Sequence, residues 1–330
     1  MKIKKNVKLE KWTTFKIGGE AKYFCEPKDQ SEYLEAISFC LKNGVKSMLL
    51  GAGANVLFGD GILNRMIIST LHWNKIEIER AAQILPPACT LTKNGGCSSA
   101  KRENCSIAAY GGCKLKEQEK LAALVRFGAG VTIDAAVKFA AKLGLSGLEF
   151  AGGLPGTIGG AAYMNARCYG GEFSHIIKEV SIINEALQYK VISGTDLDYG
   201  YKHSVFMEHP EYCIVDVVIA LMPSSKKIVR KKTKENYLDR QKKGQFAYPS
   251  AGCVFKNDYS VGIPAGKLID EAGLKGFTVG GAQIYDKHAN FIINKKNAKA
   301  SDVKKIISEV QKRVEKKSGV HLEPELQVID

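Results

Sequence analysis

Apolar positions along the chain switch between a period of two and a period near 3.6, the signatures of strands and of amphipathic helices. Residues 21–25 and 46–50 are β-prone runs, and between them Leu34, Ile37 and Leu41 recur at helical spacing until Asn43-Gly44 stops the turn. The second of these strands runs straight into Gly51-Ala52-Gly53-Ala54-Asn55. From Trp73 to Lys120 the periodicity dissolves into polar sequence bearing Pro86-Pro87, longer than ordinary connections, and reads as an insertion over about residues 78–120. Order resumes with a strand at 124–127; Gly128-Ala129-Gly130 turns the chain, Thr132 caps a helix through Ile133, Val137 and Ala140, and Gly144 ends it. Strands follow at 176–183 and 213–221, the latter a continuous apolar run of the kind a buried strand shows. Residues 265–273 read as a short helix ended by glycine, with strand fragments at Gln283-Ile284 and 290–293. Ser301 then caps an amphipathic helix whose Val303, Ile306, Ile307, Val310 and Val314 share one face up to Gly319.

At 330 residues the chain exceeds what one core comfortably serves, so two or three domains are expected. Its 45% hydrophobic and 25% charged residues exclude a disordered, fibrous or disulfide-knotted chain. The formal net charge of +14 favours anionic partners: phosphorylated small molecules, nucleic acid or an anionic membrane. Much of it is concentrated between 223 and 243, with few aromatics and no nucleic-acid-binding module, so this stretch reads as a solvated helix leading into an anion site and no nucleic-acid partner is expected. The N-terminal residues lack the apolar run of a secretory signal. The weakly charged stretch 143–166 is rich in glycine and holds Pro155, which suits a loop rather than a bilayer helix. A cytoplasmic protein without a membrane partner is the expectation. The nine cysteines, an odd number, fit reduced thiols. Cys89, Cys97, Cys105 and Cys113 recur every eighth residue without the close pairs of a zinc knuckle, and no metal site is assigned.

Two glycine-rich stretches carry candidate chemistry. A strand that delivers Gly51-Ala52-Gly53 can bring bare backbone N–H groups against a pyrophosphate, although the spacing is not the dinucleotide-binding fingerprint and a ligand-free tight turn explains it equally. The segment 147–165 holds six glycines among small residues, suited to close approach of a large flat or phosphate-bearing ligand, or to a set of tight turns.

In order along the chain stand Thr13-Thr14-Phe15-Lys16-Ile17-Gly18-Gly19, the Gly51 to Asn55 turn, the 147–165 segment, Tyr201-Lys202-His203-Ser204, the run 250–257 (SAGCVFKN), the run 287–294 (KHANFIIN) and Leu322-Glu323-Pro324-Glu325. This series resembles the UDP-N-acetylenolpyruvoylglucosamine reductase (MurB) family over nearly the whole chain. The resemblance implies an α+β fold: a two-lobed FAD-binding (PCMH-type) α/β region plus a smaller α+β substrate-binding domain. The implied division is 1–70 and 71–222 for the two lobes, 223–319 for the substrate domain, and a tail, 320–330, returning near the first lobe. The interval 204–249 is too short for the extra tyrosine loop of one subtype, so the resemblance is to the shorter second type.

What the family implies for function is that NADPH reduces a non-covalent FAD, hydride passes to the enolpyruvyl C3 of a UDP-sugar, and a side chain protonates C2, giving UDP-N-acetylmuramate for peptidoglycan. Carried over by position, Gly51, Gly53, Ala54, Asn55, Gly153, Pro155, Gly156, Thr157, Gly159 and Gly160 hold the cofactor. Tyr201, Ser204, Lys256 and Asn257 bind substrate, and Cys253, Glu325 and Lys202 are catalytic. A monomer is expected.

The chemistry itself asks for these residue types. Hydride addition beside a carboxylate loads that carboxylate with charge, so the site needs a cation or a proton donor there. Glu325 as donor requires a desolvated site that raises its pKa. A thiol, with an ordinary pKa of about 8.5, is a far stronger acid than a serine hydroxyl, which suits Cys253 to protonate C2. The chain departs from the family at Lys202 (usually Arg), Ala54 (usually Ser), Arg167 (usually Gly) and the insertion. Alternatives are another FAD-linked oxidoreductase of the same fold, or a basic binding protein that has lost catalysis.

Overall fold

The computed structural model describes residues 1–80 and 122–330; the four evenly spaced cysteines lie outside the described residues. The first lobe is a four-stranded sheet in the order Lys4–Lys8, Glu20–Cys25, Ile62–Ser69, Lys46–Leu50, the last three parallel. Helix Gln30–Asn43 makes the crossover, capped by Asp29 accepting from the Glu32 N–H and ended by Gly44 at φ 61°. Its buried face is Tyr33, Ala36 and Cys40 rather than the larger Leu34, Ile37 and Leu41, and Leu41 is 73% exposed. Tyr33, Ala36 and Cys40 share one core with Phe127 and Cys213 of a second sheet, and Leu34 and Ile37 pack half-buried against it.

That second sheet is antiparallel: Tyr189–Ser193, Ile177–Ile183, Cys213–Pro223, Ala123–Gly128, Ile76–Arg80, with Leu145–Ser146 alongside Cys213–Pro223. The edge strand Ile76–Arg80 falls where the sequence reads insertion. It has only two apolar residues, and Ile78 is half-exposed, so its alternation is faint. Arg126 ties it in, bonding Glu79 at 2.6 Å and Asp216 on the next strand. Undescribed sequence thus begins after Arg80, which pairs with Leu124, four residues from Gly128 and roughly 13 Å away at strand rise.

The third sheet, Ser250–Cys253, Phe291–Asn294, Ala282–Ile284, Thr278–Val279, packs with helices Ala265–Glu271 and Ala300–Ser318. Val303, Ile306, Ile307, Val310 and Val314 are its buried helical face, as their spacing predicts. Ser301 does not cap that helix; it lies in the first turn. Asp60 of the first lobe does so instead, Oδ1 accepting from Ala300 N at 2.6 Å and Oδ2 from Ser301 N at 3.0 Å. Burial works against the Asp60 carboxylate, but these donors and Lys299 hold it below the usual range.

Helix Lys226–Lys242, which the sequence boundary at 223 assigns to the third region, packs on Glu149–Ala151 and Ile133–Leu143 of the second lobe. Its inward face is Val229, Thr233, Asn236 and Arg240, at spacings of four, three and four. Asn236 donates to Glu149 O at 2.8 Å and Arg240 to Gly152 O at 3.0 Å. The tail then returns across the molecule, Gln327–Ile329 pairing in parallel with Val56–Phe58. Among the described residues no helix is long and apolar enough to cross a membrane, and the five cysteines are free.

Candidate active site

The three sheets surround a cleft of about 1060 Å³. Ordinary small-molecule pockets run to roughly 1,000 Å³, so the space suits a large cofactor with part of a substrate beside it. Two glycine stretches form one wall. Thr157 Oγ1 accepts from Gly160 N at 3.3 Å and so caps the short helix Ile158–Tyr163. A Cβ on Gly51 would lie 2.5 Å from that same oxygen, so glycine lets the first lobe's turn close onto the second lobe's helix. Gly159 is required by the protein's own packing, since a Cβ there would sit 2.7 Å from Ala129 Cβ.

Gly160 differs: it is exposed in the cleft wall, and an added Cβ meets nothing nearer than Thr157 Oγ1 at 3.4 Å. Gly156, at φ 129°, likewise leaves room, with Ile133 Cδ1 at 3.4 Å and Ala54 Cβ at 3.9 Å. Bare backbone with space before it, facing a long apolar cavity, fits a dinucleotide such as FAD. Ala54, Gly153 and Pro155 line the same wall.

The same cleft holds the reactive side chains. Lys202 Nζ lies 2.6 Å from Glu325 Oε1, both side chains 12% exposed. Lys202 sits at φ 54°, a left-handed conformation uncommon for a non-glycine residue. Its loop is pinned from beneath: buried Asn165 donates to Gly200 O at 2.9 Å, and Ser204 Oγ donates to Tyr163 O at 2.6 Å. Glu325 is fixed through its backbone, its N–H donating to Val254 O at 2.7 Å while its carbonyl accepts from Asn55 Nδ2 at 3.0 Å.

Cys253, half-buried in the cleft lining, has its thiol pushed up to about 12, first by burial and then by the Glu325 carboxylate, with Lys202 and Arg240 opposing. Tyr201 Oη accepts from Asn257 N at 3.0 Å, and burial raises that hydroxyl to about 12, leaving it neutral with a proton to donate. Asn257 Oδ1 is occupied by Ala265 N at 2.9 Å, holding the turn ahead of helix Ala265–Glu271.

Of the residues singled out from sequence, the cofactor set and Tyr201, Lys202, Cys253, Asn257 and Glu325 all line this cleft. Ser204 and Lys256 do not. Ser204 is fully buried under the loop, and Lys256 pairs with Glu323 at 2.6 Å. Asn55 lines the cleft, yet its amide is used to strap the tail. Sequence reading passed over Tyr259 and Arg240. The Arg167 guanidinium, noted only as a departure, lies 5.1 Å from the Tyr201 ring centre and 5.4 Å from that of Tyr259. The inward helical spacing of Arg240 with Val229 was the available signal for that residue.

Fold and cleft define the class: an FAD-binding flavoprotein of the PCMH type. Residues 100–186 match the FAD binding domain family, and residues 244–329 match the C-terminal domain family of UDP-N-acetylenolpyruvoylglucosamine reductase. A UDP-N-acetylenolpyruvoylglucosamine reductase of Treponema denticola is 37% identical over 96% of this chain and 90% of its own length. One from Listeria monocytogenes serotype 4a is 35% identical over 99% and 95%. The crystal structure of the Thermus caldophilus reductase (MurB) superposes over 100% of both chains with a TM-score of 0.74 at 28% identity. The chain belongs to the UDP-N-acetylenolpyruvoylglucosamine reductase family.

Proposed function

We propose that this chain reduces the enolpyruvyl ether of UDP-N-acetylglucosamine to UDP-N-acetylmuramate for peptidoglycan synthesis, with NADPH as the co-substrate. The observation that carries the reading is one cleft lined both by a bare-backbone cradle and by Cys253, Lys202 and Glu325. Bound FAD supplies the two-electron carrier between nicotinamide and substrate. Everything else falls to side chains. As hydride reaches C3, the electron pair of the double bond moves to C2 and onto the adjoining carboxylate, whose growing charge meets the Lys202 ammonium. Cys253 gives its proton to C2. Because burial keeps that thiol protonated well past neutral pH, the donor is loaded whenever substrate arrives. Glu325, bonded to Lys202, orients the ammonium; Tyr201 and Asn257 shape the substrate end.

In this reading the first two sheets hold the flavin, and the region from about 244 with the tail closes over the substrate. The charged nucleotide substrates suit the cytoplasm.

Stopped-flow separation of the half-reactions tests the assignment. In Cys253→Ala, NADPH should bleach the flavin at the parental rate, while enolpyruvyl substrate should restore its colour at least a hundredfold more slowly, with Cys253→Ser intermediate. Parental recolouring in the alanine variant would return Cys253 to a packing role.

A further inference from the structure

Helix Lys226–Lys242 brings to the cleft a side chain whose bonding is incomplete. Arg240 is 7% exposed; Nε donates to Gly152 O and Nη1 to Gln245 Oε1, each at 3.0 Å, and its guanidinium carbon stands 5.0 Å from the Tyr169 ring centre. Nη2 is buried and has no hydrogen-bond partner, while the guanidinium as a whole also lies beside the Cys168 thiol and opposes the upward push that burial gives it. Among the described residues no carboxylate pairs with Arg240: neighbouring Asp239 is taken by Lys243 at 2.6 Å and by the Tyr169 hydroxyl at 2.7 Å, and Glu325 by Lys202. A buried guanidinium held only by neutral acceptors is poorly compensated for its lost hydration. With one donor nitrogen, Nη2, still free at the edge of a cleft, it is built to receive an anion.

The location narrows which anion. Arg240 lines the cleft with Cys253, Lys202 and Glu325, and its charge, like that of Lys202, bears on the Cys253 thiol. The carbon that Cys253 protonates carries the substrate's carboxylate directly, so a cation close to the thiol is also close to that group. The flavin is the competing acceptor, because Arg240 is anchored on Gly152 O beside Gly153, and the spectral readout below separates the two. Lys202, an ammonium already bonded to Glu325, offers a point charge without the planar fork that directs a carboxylate. We propose that Nη2 of Arg240 binds the enolpyruvyl carboxylate, forming with Lys202 a two-cation grip on the group that accumulates charge during reduction. The proposal rests on the reductase reading above.

The test uses oxidised holoenzyme without NADPH, following the flavin's visible band as ligand is added. Parent, Arg240→Gln and Arg240→Lys are titrated with the enolpyruvyl substrate and with UDP-N-acetylglucosamine, which lacks the carboxylate. Arg240→Gln should weaken the enolpyruvyl ligand by about tenfold or more and UDP-N-acetylglucosamine by less than about twofold, with Arg240→Lys recovering part of the loss. Equal weakening of both ligands, which a diphosphate contact or a general disturbance of the cleft would produce, overturns the proposal, as does no weakening. A shifted flavin spectrum without selective loss assigns Nη2 to the cofactor and overturns it too. If Arg240→Gln fails to retain flavin, Arg240→Lys carries the comparison: a selective loss against the parent supports the grip and parental affinity refutes it. Failure of the parent itself to turn over the enolpyruvyl substrate would instead remove the reductase reading.

Discussion

Gly160 separates what the fold requires from what a cofactor requires. It lies in helix Ile158–Tyr163, exposed in the cleft wall, and a Cβ there reaches Thr157 Oγ1 only at ordinary contact distance, 3.4 Å. Without ligand, Gly160→Ala should therefore be stabilising by up to about 1 kcal/mol, from helix propensity alone. With FAD against that backbone, the same methyl intrudes on a packed contact, at a cost of roughly 1–3 kcal/mol, which is about fivefold to 150-fold in affinity. The two effects have opposite signs. Thermal unfolding of the apoprotein should show the midpoint of Gly160→Ala equal to or above the parent. Titration of apoprotein with FAD, followed by quenching of flavin fluorescence, should show weaker binding, and Gly160→Leu should bind weaker still. Parental FAD affinity in Gly160→Leu would refute the reasoning, because the backbone of that helix would then not abut the cofactor. Gly159, one residue earlier, cannot serve: its clash with Ala129 disturbs the fold whether or not flavin binds.

Lys202→Arg should keep kcat/KM within about tenfold, whereas Lys202→Met should lose about a hundredfold or more, as removal of an electrostatic donor does; an unimpaired methionine variant moves the role elsewhere. The buried thiols of Cys25, Cys213 and Cys253 are each raised by burial from 9.0 to about 12. The unfolded chain ionises first, so their contribution to stability is complete below pH 9 and is lost as pH rises from 9 toward 12. Urea midpoints between pH 7 and 10.5 should fall at the alkaline end, and less steeply in Cys25→Ala/Cys213→Ala; identical slopes would disprove the assignment. Excising about residues 88–113, which lie outside the described residues, should leave substantial reductase activity, because the flanking strands leave the sheet at the end away from the cleft. Stoichiometric zinc lost together with activity would contradict this.

Periodicity made most elements legible before any coordinates. Val303 to Val314 predicts its helix face because branched apolar residues at helical spacing have one way to be buried. The same logic was off by part of a turn in helix Gln30–Asn43: Leu34 and Ile37 pack at the edge of the core, Leu41 is exposed, and Tyr33, Ala36 and Cys40 take the centre. Helix Lys226–Lys242 was legible as a helix but not in its docking: it buries Val229 and Arg240 but meets its support through polar groups, so apolar periodicity says nothing about where it packs. Motif order marked out Cys253, Lys202 and Glu325 but not the difference between lining a cleft and holding up its lining. Ser204 belongs to the second kind, bonded to Tyr163 O under the loop that carries Lys202. Asp60 shows the limit of local reading most clearly, because the cap of the helix beginning at Ala300 comes from 240 residues away.

The strap from Asn55 to Glu325 joins residues 270 positions apart. Closing a loop of that span is slow in folding compared with pairing strands within each sheet. Glu325 is therefore expected to reach Lys202 late, after the sheets have their cores, so that refolding followed by activity should lag refolding followed by near-UV circular dichroism. Chain length inside the loop matters little to this closure. Leaving out the whole 81–121 stretch would ease it by only about 0.1 kcal/mol, since the entropy of closure grows with the logarithm of length. Added or lost chain length between Arg80 and Ala122 would therefore leave the cost of this last closure almost unchanged.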